Sequence, residues 1–85
     1  MKTLRPSPFS TEQIWLRDYL IKRRKELGLS QRALAEKLGV IYSFVAKVET
    51  GDRRLELVSF IHYCRGLDLC PFETLKLLEG QIERR

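Results

Sequence analysis

Apolar positions along this chain recur at intervals of three and four, and no stretch alternates with period two for long enough to make a strand. The pattern falls into five segments, each bracketed by residues that start or stop helices. Ser10 can N-cap a first helix, with Gln13 completing a capping box and Phe9 and Ile14 placed as a hydrophobic staple. That helix is expected over about 11 to 27, with Leu16, Leu20 and Leu27 sharing a face with Arg24, and it stops at Gly28. Ser30 caps a second, over 31 to 38, whose apolar residues are Leu34, Ala35 and Leu38; Gly39 ends it. A third, over 42 to 50, buries Val45 and Val48 and ends at Gly51. A fourth, over 57 to 67, carries Leu57, Phe60, Ile61, Cys64 and Leu67 at helical spacing. Pro71 suits the first turn of a fifth, with Phe72, Leu75 and Leu78 inward and Gly80 as its stop. The fold class is all-α. Residues 1–10, which include two of the three prolines, read as an N-terminal arm, 11–80 as one helical domain, and 81–85 as a C-terminal tail.

The segment from Gln31 to Thr50, QRALAEKLGVIYSFVAKVET, has a tighter logic than its periodicity. Its fifth residue is Ala35, its ninth Gly39 and its fifteenth Val45. Two short helices crossing steeply need a small residue where they touch, a positive φ in the turn, and a compact hydrophobe on the second helix. Alanine, glycine and valine meet those needs in that order. An ordinary helical hairpin would show the same apolar pattern, so spacing alone leaves the function of the pair open.

Charge narrows it. With 85 residues the chain makes one domain, small enough that pairing with a second subunit would add useful stability. Sixteen Lys and Arg against eleven Asp and Glu leave a formal charge of +5, which favours a polyanionic partner, nucleic acid before an anionic membrane surface. Cys64 and Cys70 are too few for a disulfide framework, and with His62 as the sole histidine there is no set of zinc ligands. No apolar run approaches a membrane span and no signal-peptide core is present, so a reduced, cytoplasmic setting is expected. One histidine and no glycine-rich phosphate loop give no polarised cluster for catalysis, and neither an enzyme, a cofactor nor a small-molecule substrate is expected.

The run GLSQRALAEKLG, followed by SFVAKVETGDRRLE, resembles the XRE family, the Cro and phage-repressor type of DNA-binding domain, over about residues 16 to 78. The resemblance implies a compact five-helix lambda-repressor-like domain with a helix-turn-helix, of bacterial or phage origin and nucleoid-associated. It implies a sequence-specific regulator of transcription, a repressor, that binds double-stranded DNA as a homodimer with helix 42–50 in the major groove. Carried over by position, Tyr42, Ser43 and Lys47 match the base-reading residues. Gln31, Phe44, Thr50, Arg53 and Arg54 fall where the family approaches the sugar-phosphate backbone. Arg24 and Glu49 match a structural ion pair that ties the first helix to the end of the third. The chemistry of the residues agrees: a lysine can donate to guanine acceptors, a serine can bond several base edges, and a tyrosine offers a hydroxyl or packs on a thymine methyl. Two positions depart from the family pattern. Ile41 is a poor N-cap for the third helix, and Tyr42 stands where relatives carry glutamine or arginine, so a bidentate amide contact to adenine is lost.

Other conspicuous residues have plain structural readings. Cys64 takes an inward position as a small core hydrophobe, His62 lies on the surface of the fourth helix, and Lys22, Arg23 and Lys25 form a solvated face. Trp15 and Tyr19 share a second stripe of the first helix and cover the fifth, or belong to a dimer contact. Leu77 and Ile82 lie off the core stripe and mark the fourth and fifth helices with the tail as the dimer surface. They would equally serve an antitoxin-like module that binds a partner protein and autoregulates its own promoter.

Overall fold

The computed structural model describes residues 10–82, which form five α-helices: α1 Thr11–Glu26, α2 Gln31–Leu38, α3 Tyr42–Thr50, α4 Leu57–Gly66 and α5 Pro71–Glu79. Residues 1–9 of the N-terminal arm, with Phe9 of the expected staple, and residues 83–85 lie outside that range.

Local chemistry sets the boundaries. The Ser10 hydroxyl accepts the Gln13 N–H at 3.2 Å and the Ser30 hydroxyl accepts the Ala33 N–H at 3.0 Å, each satisfying a donor that the helix itself cannot. The tight connection from α2 to α3 turns on Gly39, whose φ of +73° a side chain would resist. α4 begins at Leu57 as expected, but the cap that starts it escaped the sequence reading. Glu56 is its N-cap, and its carboxylate accepts the N–H groups of Val58 and Ser59 at 3.0 and 2.9 Å and the Ser59 hydroxyl at 2.6 Å. Those bonds, the hydroxyl first, hold the Glu56 carboxyl below the usual glutamate range.

α4 ends at Gly66, one residue earlier than expected, and Asp68 takes the left-handed conformation (φ +57°) that glycine takes elsewhere. Arg23 secures this end from α1: its Nε donates to the Leu67 carbonyl at 2.9 Å and its Nη2 to that of Asp68 at 3.4 Å. Arg23 is therefore not part of a merely solvated face. It supplies a cation to the carbonyl end of another helix, where the helix dipole favours one.

The core gathers Leu20 from α1, Leu34 and Ala35 from α2, Val45 and Val48 from α3, and Tyr63 from α4, with Leu67 beyond it. α2 makes its broadest contact with α3 and also packs on α4, while α5 rests on α4 and α1. The approach of α2 to α4 depends on Gly66, since a Cβ there would stand well inside van der Waals contact distance of Leu38 Cδ2. Cys64 is fully buried, and burial pushes its thiol pKa up while a hydrogen bond with Thr74 works the other way. Cys70 is exposed. Trp15 and Tyr19 stack on each other with ring centroids 5.0 Å apart.

Three inward assignments, on two helices, need correction. On α4, Leu57 is 65% exposed, and Tyr63, which the apolar count passed over, is fully buried. On α5, Phe72 is 80% exposed and Leu75 also faces out, while Thr74 is buried and Leu78 half-buried. The buried stripe of α5 runs through Pro71, Thr74 and Leu78, and Phe72 sits roughly a quarter turn away from it. Thr74 can lie inward because its hydroxyl donates to the Cys70 carbonyl at 3.1 Å, which leaves only its methyl to be packed.

Candidate nucleic-acid interface

α3 is two-sided. Val45 and Val48 point into the core, whereas Tyr42, Lys47 and Thr50 are exposed and Ser43, Phe44 and Ala46 half-buried. The helical period forces this division: residues 45 and 48 share one face, and 43, 47 and 50 another.

The inner side is anchored at Glu49. Its carboxylate accepts Arg24 Nε at 2.6 Å, Arg24 Nη2 at 3.0 Å and Gln31 Nε2 at 2.8 Å, while Arg24 Nη1 donates to the Leu29 carbonyl at 2.8 Å. One carboxylate thus joins α1, the first residue of α2 and the last turn of α3. Both partners of the ion pair are nearly buried, so the bonds form in a medium that weakens them little. The Tyr63 hydroxyl, also buried, has no hydrogen-bond partner among the described residues; burial pushes its pKa up, the Glu49 charge adds to the shift and Arg24 opposes it.

The outer side carries the positions assigned to DNA. Tyr42, Ser43 and Lys47 project from the first two turns of α3. Thr50 uses its hydroxyl within the helix end, donating to the Lys47 carbonyl at 3.1 Å. Phe44 packs against Tyr63, with ring centroids 6.4 Å apart, and offers its other surface to the Arg53 guanidinium, 4.8 Å from the ring centre. Gln31 spends one amide hydrogen on Glu49, and the second, with the amide oxygen, is left for another partner. Arg54 is exposed beside Arg53 in the loop after α3.

Two further cations join this surface that sequence reasoning missed. The Arg32 guanidinium lies 4.4 Å over the Tyr42 ring, a cation–π contact between the start of α2 and the start of α3. The Arg17 guanidinium packs against Gly51, 2.9 Å from where a Cβ would stand, and lines a shallow cleft together with Arg53 and Arg54. Neither has a short-range signal in the chain. Arg32 precedes Tyr42 by ten residues and Arg17 precedes Gly51 by thirty-four, so only the packed helices bring them together. The result is a rigidly held helix with a mixed polar and aromatic outer face, flanked by guanidinium groups. That combination can follow a polyanionic backbone and read hydrogen-bonding edges between its strands.

Known proteins share this fold. A family model described as helix-turn-helix matches residues 20–78. Among solved structures, an XRE-family like protein from Pseudomonas syringae pv. tomato str. DC3000 is 36% identical and superposes with a TM-score of 0.79, over 85% of this chain and 88% of that one. Comparison with curated proteins gives no match.

Proposed function

This chain belongs to the XRE-type helix-turn-helix family of DNA-binding regulators, and we propose that it is a sequence-specific repressor that reads operator DNA as a homodimer. The observation that carries the reading is the division of α3. Its inner side is fixed by Glu49, Arg24 and Gln31, and its outer side presents Tyr42 and Lys47 among exposed arginines. A reading helix must hold its side chains in place before contact, and this one is braced from two other helices.

In this reading Lys47 donates to guanine O6 or N7, while Ser43 and Tyr42 meet neighbouring base edges. Gln31, Thr50, Arg53 and Arg54 contact the sugar-phosphate backbone and set the register, with Phe44 as the platform under Arg53. α3, at nine residues, reaches only a few base pairs, too few to single out one genomic site. A two-fold dimer doubles the contact and requires half-sites about 34 Å apart on one face of the duplex. Exposed apolar residues on α5 and just beyond it, Phe72, Leu77 and Ile82, support a pairing surface there.

Selection of bound duplexes from a random pool, followed by sedimentation of the protein with the recovered sequence, tests all of this. An inverted repeat with two protomers per duplex is expected, and a reporter promoter carrying it should be silenced when the protein is supplied. Recovery of no preferred sequence would overturn the specific reading, and one protomer at saturation would overturn the dimer.

A further inference from the structure

The tip of α3 presents, beside the base-reading Tyr42, an apolar residue that the assigned contacts leave unused. Ile41, its N-cap, is 73% exposed, and the adjoining Tyr42 is 41% exposed with the Arg32 guanidinium over its ring. An aliphatic group and an aromatic one therefore stand side by side at the start of the reading helix.

The sequence forgoes something at this point. α1, α2 and α4 each begin with a residue whose side chain accepts a backbone N–H, Ser10, Ser30 and Glu56; Ile41 makes no such bond, and neither does Cys70 of α5, where Pro71 opens the helix instead. A branched aliphatic group is left in water where a serine would have secured the helix. A single exposed apolar residue needs no explanation. One that displaces a cap, beside an aromatic ring on a cationic face, calls for a partner with an apolar feature inside an anionic ligand.

In the major groove that feature is the C5 methyl of thymine, since the other groups presented there are hydrogen-bond donors and acceptors. Building on the DNA-reading role of α3, we propose that Ile41 and Tyr42 form a methyl-reading surface that selects thymine in each half-site. Ile41 packs on the methyl, and the ring of Tyr42, held by Arg32, closes one side of the contact.

The test uses the duplex most enriched from a random pool, with its thymines replaced one at a time by deoxyuridine. The replacement removes a methyl and leaves base pairing intact. At one or two positions in each half-site affinity should fall about fourfold, the effect of failing to bury one methyl group. The Ile41→Ser protein should bind the thymine duplex about sixteenfold more weakly, about fourfold for each of its two protomers, and be indifferent to uracil at the position Ile41 reads. It should also melt no lower than the parent, because serine restores the missing cap.

An enriched duplex without thymine in the half-sites would overturn the proposal. So would uracil without effect at every position, an Ile41→Ser protein that keeps full uracil sensitivity, or one that melts lower. Each of these leaves sequence-specific binding standing, whereas failure to enrich any duplex removes both readings.

Discussion

Arg24 of α1 and Glu49 of α3 are joined by two hydrogen bonds, 2.6 and 3.0 Å long, with only 11% and 8% of their side chains exposed. Glu49→Ala would leave Arg24 buried without its counter-charge and release Gln31 as well. A loss of about 3–5 kcal/mol is expected in urea unfolding. Replacing both partners together, Arg24→Met with Glu49→Leu, should cost less than Glu49→Ala alone, because no charge is then stranded. Equal or greater loss in the double variant would show that the pair matters through something other than its charges.

Lys47 and the two loop arginines should separate in a binding assay. Lys47→Ala is expected to cost about 1–3 kcal/mol on the selected duplex and to relax its base preference, with little change on random DNA. Arg53→Ala or Arg54→Ala should weaken binding to both DNAs alike and lower the slope of log K against log salt by about 1. Equal losses for Lys47→Ala on the two DNAs would move that residue to the phosphates.

Gly66→Ala tests the α2–α4 contact. Alanine is the better helix former by about 1 kcal/mol, so a free position would gain stability. Here the new methyl meets Leu38, and overpacking of about 1–3 kcal/mol should prevail. Adding Leu38→Ala should recover part of the loss, measured as the denaturation midpoint.

Glu56 gives the fold an acid-sensitive cap. Its pKa in the folded chain lies below the ordinary value of 4.5, because the Ser59 hydroxyl and two backbone N–H groups bind the ionised form. A carboxyl of this kind stabilises the fold fully above its unfolded pKa and loses that contribution as pH falls through its folded pKa. The melting-temperature gap between the parent and Glu56→Gln should be constant near neutrality and shrink as pH falls below 4.5. A gap that persists in acid would point to shape rather than charge at the cap.

The helix-turn-helix was legible in the chain because its determinants are local. Ser30, Ala35, Gly39, Val45 and Gly51 act within a few residues of themselves, and the bounds of α2 and α3 followed from them. α5 was misread because periodicity counts side-chain type and cannot see that Thr74 hides its hydroxyl against its own helix. Tyr63 was missed for a related reason, since a buried phenol is read as polar until its surroundings are known. Arg17, Arg23 and Arg32 were hidden because long side chains take meaning only from the element opposite them. The candidate surface was legible as positions on one helix and illegible as a neighbourhood.

The lengthwise division of α3 has a bearing on how such a protein can change. Val45, Val48 and Glu49 belong to the fold; Ile41, Tyr42, Ser43 and Lys47 do not share that duty. Substitutions at the second set leave the first intact, so after gene duplication one copy could drift to a new target while its folding stayed under unaltered selection. The same separation makes this small domain a chassis: four positions can be randomised on a fixed frame, and each variant recovered would differ in what it binds and hardly at all in how it stands.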